Sequence, residues 1–144
     1  MSRILCVDPG DKRLGLAVSD PEQKVAFPLT ILEHTSRDKN AKAIIDIARQ
    51  KDADLIIVGY STDSQGEATY QGRKSRRLAG AIRAQCNIDV LLWDESYSTR
   101  IAQETVEQLD PGQNSKLEHY DAVAAAIILQ SYLETLKPKG ADEE

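Results

Sequence analysis

The chain has 144 residues, enough for one domain with a substantial hydrophobic core. Hydrophobic residues make up 41% of it and charged residues 28%, which excludes a disordered chain, and no apolar stretch is long enough for a membrane-spanning helix. A net charge of −5 argues against a general nucleic-acid coat, which would be basic, but is compatible with an acidic site beside a local basic patch.

The apolar run Ile4-Leu5-Cys6-Val7 predicts a strand over 3–7 buried on both faces. It ends on Asp8, and Pro9-Gly10-Asp11 then forces a turn. A second strand is predicted over 14–19 and a third over 25–33, with Pro28 marking an edge or a bulge. The short connections favour an antiparallel meander. Thr35-x-x-Asp38 resembles a capping signal for a helix over 37–51 that carries Ala41, Ile44, Ile45 and Ala48 on one face. The run Asp54 to Gly59 predicts a fourth, doubly buried strand, and 60–69 a polar loop. A helix over 70–85 with Leu78, Ala81 and Ile82 as its stripe leads to a fifth strand over 89–93. Ser98 is the expected cap of a short helix through 108, Asp110-Pro111-Gly112 a turn, and Ser115-x-x-Glu118 a capping box for a last helix over 116–136.

This order predicts an α/β fold. Three antiparallel strands and then two parallel ones form a mixed five-stranded sheet flanked by helices, because the last two strands follow helical crossovers. Residues 1–136 are expected to form a single domain and 137–144 a polar tail. Met1-Ser2-Arg3 runs straight into a strand with no signal-peptide layout, and Cys6 and Cys86 have no metal-site spacing, which fits a reducing cytoplasm.

In such a sheet the first, fourth and fifth strands run parallel, so their C-terminal ends share the edge where open α/β sheets bind ligands. Asp8 and Asp94-Glu95 fall on that edge. Asp121 shares a face of the last helix with Ala125, Ile128 and Tyr132, in a segment apolar all round, and so points toward the interior. Clustered carboxylates must take up protons, find cations or hold a metal. Oxygen-only donors select Mg²⁺ or Mn²⁺, and two such ions about 3.5–4 Å apart serve phosphodiester cleavage, with Asp8 the natural bridge. Each acid also has a plainer role: an Asx-type turn for Asp8, a surface loop for Glu95, a second cap for Asp121. Asp63 and Asp94 read as loop residues, His34 and His119 as loop or surface residues, and Gly10 and Gly15 as serving turn geometry or close packing.

The stretch D-P-G-D-K-R-L-G-L-A at 8–17 resembles the opening motif of the YqgF/RuvX family, Holliday-junction-resolvase-like proteins of the ribonuclease-H-like superfamily that are also named for nucleolysis of pre-16S rRNA. I-I-V-G-Y at 56–60, Gly66, D-E-S-Y-S-T at 94–99 and Y-D-A-V-A-A-A-I-I-L-Q-S-Y at 120–132 carry the likeness over nearly the whole chain. The resemblance implies a ribonuclease-H-like, metal-dependent cytoplasmic nuclease that matures the 5′ end of 16S rRNA, with Asp8, Glu95 and Asp121 as catalytic, metal-binding acids. Ser96 stands where the family has arginine, with Arg100 nearby as a substitute, and Tyr60-Ser61 replaces Leu-Pro. Ala124, one turn past Asp121, cannot serve as the fourth acid that many such nucleases carry.

The expected machinery is a two-ion Mg²⁺ or Mn²⁺ site on Asp8, Glu95 and Asp121. Lys12, Arg13, Arg73, Arg76 and Arg77 would meet backbone phosphates, and Tyr60 or Tyr97 would stack on a base. The partner is nucleic acid, RNA or also DNA and junctions, with no membrane; a homodimer is left open. Two rivals stand beside this reading. A phosphotransferase of the actin and sugar-kinase type needs two such domains. A non-catalytic RNA-binding module of ribosome maturation or transcription fits Ser96 and the missing fourth acid.

Overall fold

The computed structural model describes residues 2–109 and 117–136, with the side chains of 117–119 left aside. The 110–112 turn, the Ser115-x-x-Glu118 box, the side chain of His119 and the 137–144 tail lie outside the described residues.

Five strands form one sheet: β1 (Arg3–Pro9), β2 (Arg13–Ser19), β3 (Ala26–Glu33), β4 (Ala53–Tyr60) and β5 (Asp89–Asp94). Their spatial order is β3-β2-β1-β4-β5. The β1–β2 and β2–β3 pairs are antiparallel, and β1–β4 and β4–β5 are parallel, as the lengths of the connections predict. Pro28 lies on the edge strand β3. The register slips there, Leu16 pairing with Thr30 and Ala17 with Pro28, so Leu29 is a bulge residue.

Helices α1 (Arg37–Gln50) and α2 (Tyr70–Gln85) cover one face; α3 (Arg100–Leu109) and α4 (Leu117–Thr135) cover the other. The central strands feed both layers by alternation. Leu5, Val7, Ile56 and Val58 pack with Ile44, Leu78 and Ile82, whereas Ile4, Cys6 and Ile57 pack with Ala125, Ala126 and Leu129. Each fully buried Leu, Ile or Val among them contributes roughly 1.5–3 kcal/mol.

Two caps fall one residue later than the sequence predicts. Ser36, not Thr35, caps α1 by accepting the Lys39 N–H, because the Thr35 hydroxyl and N–H both donate to the buried Asn40 side chain. Thr99, not Ser98, accepts the Ala102 N–H at the start of α3; Ser98 instead closes a 3-10 turn over Glu95–Tyr97. Helix α4 is fastened to the sheet by a polar residue as well as by its alanines. Gln130, buried in the core, accepts the Ala26 N–H and donates to the Lys24 carbonyl.

Candidate active site

Strands β1, β4 and β5 run parallel, so Asp8, Tyr60 and Asp94 end on one edge of the sheet. Even-numbered residues of β1 face α4, which puts the Asp8 side chain on the α4 side with Ile4 and Cys6. Glu95 opens the 3-10 turn that follows β5. Asp94 holds that turn: its carboxylate accepts the Ser96 N–H at 2.9 Å and the Thr62 hydroxyl at 3.2 Å. Asp94, read from sequence as a loop residue, thus fixes the residue next to it.

Two glycines make room for the acids. Gly15 is the cross-strand partner of Asp8, and a Cβ on it would collide with the main-chain carbonyl of Asp121. Gly59 lies beneath Glu95: a Cβ there would sit 3.6 Å from Glu95 Oε1 and 3.1 Å from Ile128 Cδ1.

The electrostatics record the crowding. Burial, then the hydrogen bond and charge of Glu95, then the charge of Asp121 push the Asp8 carboxyl up to about 8. Below them the fully buried Cys6 thiol is held protonated, by burial first and by Asp8 and Glu95 second. The donors this edge offers are therefore carboxylate oxygens.

Arg13 enters the same cluster, its Nε donating to Asp121 Oδ2 at 2.8 Å. With Asp121 engaged this way, no three His, Cys, Asp or Glu side chains among the described residues converge on one point as a finished metal cage. In chemistry the donor set still fits a hard divalent cation. Asp8 is held protonated by burial first and by its hydrogen bond to Glu95 second, the charge of Asp121 reaches it, and a guanidinium is bonded to one Asp121 oxygen.

The remaining predicted contacts lie around this edge. Lys12 is exposed in the β1–β2 turn. The Arg73 guanidinium turns back to donate to the Ala68 carbonyl, and Arg76 lies 5.9 Å over the Tyr60 ring. Arg77 lines a cavity on the α1/α2 face. Arg100 is nearly fully exposed and pairs with Glu104 at 3.1 Å, one turn along α3, so it is not drawn to the acids. Tyr97 packs edge-on against Trp93 with much of its ring exposed. Ser61 accounts for its own place after Tyr60, since its carbonyl accepts the Thr69 N–H and ties the loop to the start of α2.

Residues 2–135 match the model of RuvX, Holliday junction resolvase. The chain belongs to the RuvX family. A "Putative pre-16S rRNA nuclease" of Thermoanaerobacter pseudethanolicus is 34% identical over 138 residues, covering 95% of this chain and 99% of its own. One of the same name from Fusobacterium nucleatum is 34% identical over 139 residues, covering 95% of this chain and all of its own. In fold, this RuvX chain is similar to T. thermophilus RuvC in complex with a Holliday junction substrate, at a TM-score of 0.64 and 13% identity, covering 96% of this chain and 99% of that one. The fowlpox virus resolvase superposes at a TM-score of 0.59, also at 13% identity, over 94% of this chain and 99% of that one. The fold is the ribonuclease-H-like one that the opening motif implied.

Proposed function

We propose that this RuvX protein is a cytoplasmic, metal-dependent nuclease that hydrolyses phosphodiester bonds in pre-16S rRNA, with residues 1–136 as its working unit. The observation that supports the reading is the buried Asp8 carboxyl at the C-terminal edge of the sheet, pushed up to about 8 by burial first, then by its hydrogen bond to Glu95 and by the charges of Glu95 and Asp121. The names of its relatives supply the substrate class.

Asp8, Glu95 and Asp121 would hold a pair of Mg²⁺ or Mn²⁺ ions, which when bound supply a water of lowered pKa and charge stabilisation for the attacking and leaving oxygens. The protein's own groups do the rest. Asp8 would hold a cation as the deprotonated carboxylate. Arg13, bonded to Asp121 at the rim of the site, would be a phosphate contact there. Lys12, Arg73, Arg76, Arg77 and Arg100 follow the backbone of the strand, and Tyr60 offers a stacking face.

Labelled single-stranded pre-16S leader RNA incubated with Mn²⁺ or Mg²⁺ tests this. The native protein cleaves it, EDTA stops cleavage, and Asp8→Asn lowers the rate by more than about a hundredfold, the most that changes in supporting groups usually cost. A binding-only reading draws on one observation, the engagement of Asp121 by Arg13. RNA bound but uncut in Mn²⁺ would favour it.

A further inference from the structure

On the α1/α2 side of the β1 end lies a cavity of about 220 Å³. Pro9, Leu14 and Leu78 give it an apolar floor, and Arg37, Lys74 and Arg77 a cationic rim. Lys74 is already committed to Asp11 at 3.0 Å. Arg37 and Arg77 form no ion pair with any described carboxylate. Arg37 also opens α1, where the helix dipole favours negative charge. His34 stands on the wall, held by Asn40. Asn40 Oδ1 accepts the Thr35 N–H, so its Nδ2 donates to His34 Nδ1 at 2.7 Å. The lining thus combines cationic donors with apolar side chains.

We propose that this cavity is a nucleotide subsite: Arg37 and Arg77 take a phosphate, and the Pro9–Leu14–Leu78 floor takes the attached base. The rim alone would suit any small anion. The guanidinium groups suit any phosphate, and the apolar lining is what favours a nucleotide over inorganic phosphate. Its position gives the subsite a use. Pro9 and Gly10 follow Asp8 directly, while the Asp8 side chain faces the α4 side. A strand laid across the end of β1 therefore meets the acids on one side and this cavity on the other. The subsite rests on the nuclease reading in one respect only, that its nucleotide belongs to the strand being cut.

The test uses the full-length protein in EDTA, followed by ¹H–¹⁵N NMR with AMP, adenosine and inorganic phosphate, and then with an eight-nucleotide RNA. AMP moves the amides of Gly10, His34, Gln71 and Lys74, and binds at least about tenfold more tightly than phosphate or adenosine. Arg37→Ala and Arg77→Ala each raise its Kd about tenfold, the worth of a charge-assisted hydrogen bond. Both side chains are exposed, so the fold should tolerate the changes; Arg37→Lys and Arg77→Lys, which keep the charge without the fork, should restore only part of the affinity. The RNA displaces AMP, and the double alanine variant flattens the salt dependence of RNA binding by about 0.7 for each phosphate that is no longer neutralised. AMP shifts elsewhere or nowhere overturn the site. Phosphate binding as tightly as AMP overturns the role of the floor. AMP that the RNA cannot displace overturns the strand assignment and points to a free nucleotide. The cleavage assay with Mn²⁺ stands apart: an inactive protein that still binds AMP here would sink the nuclease reading and leave the subsite, while an active one that ignores AMP would do the reverse.

Discussion

Gly15 and Asp121 touch where no other residue type would let them. Gly15 is the strand partner of Asp8, and the space a Cβ would fill there is taken by the Asp121 carbonyl. The start of α4 thus rests directly on the backbone of β2, and this approach brings Asp121 near enough for its charge to act on Asp8. Gly15→Ala must push α4 outward or distort β2. It should cost about 1–3 kcal/mol, as overpacking does, and weaken divalent-cation binding more than it weakens folding. Urea unfolding together with a Mn²⁺ titration checks both; native values of each would show that the packing relaxes freely.

Burial of Asp8, and second the acids beside it, sets a pH dependence for the metal-free protein. Asp8 titrates near 3.8 as a free side chain and at about 8 in the folded protein. Between those values the folded state holds the extra proton, so this group's contribution to stability is fully present below about 4 and is lost as pH rises through about 8. Asp8→Asn removes that slope and should be the more stable form at pH 9. Thermal melts in EDTA from pH 5 to 9 would reveal it, and parallel profiles for the two proteins would argue against a crowded carboxylate.

Much of this edge was legible in the chain. The doubly apolar runs of β1 and β4 identify central strands, and the acids that end β1 and follow β5 fall together once the strands are parallel. Asp121 could be placed because helical spacing puts it on the same face as Ala125 and Ile128. Less legible was whatever depends on a distant partner. The cap of α1 moved from Thr35 to Ser36 because Asn40 captures the threonine, a choice made by the folded side chains and not by the motif. Arg13 was expected at a phosphate, but spacing alone could not reveal that Asp121, 108 positions away, takes its guanidinium. Asp94 carried a usable signal, an aspartate two before Ser96 at a strand end, which is Asx-turn spacing. His34, Asn40 and Arg37 gave none, since their shared cavity exists only when α1 packs beside α2.

The Arg13–Asp121 pair is half-exposed on both sides, so it contributes at most about 1 kcal/mol to folding. Its larger effect is on the site, where the guanidinium competes with any cation for Asp121. Arg13→Ala should leave the melting temperature nearly unchanged, tighten Mn²⁺ binding and weaken RNA binding. Weaker Mn²⁺ binding in this variant would mean that Arg13 orients Asp121 for the ion.

Loading the site should expel the Asp8 proton below pH 8. The apparent Mn²⁺ affinity then rises about tenfold per pH unit up to about pH 8 and levels off above it. Calorimetry in two buffers of different ionisation enthalpy reads the proton directly, close to one per site at pH 6.5 and little at pH 9. A pH-independent affinity would remove Asp8 from the ligand set.

Calorimetric titration of Mn²⁺ into the native protein and into Asp8→Asn, Glu95→Gln and Asp121→Asn is the most direct measurement. The native protein should bind, and each neutral variant should lose at least about tenfold in affinity while keeping its fold by circular dichroism. Three variants that bind Mn²⁺ as the native protein does would contradict a common cation site on these carboxylates.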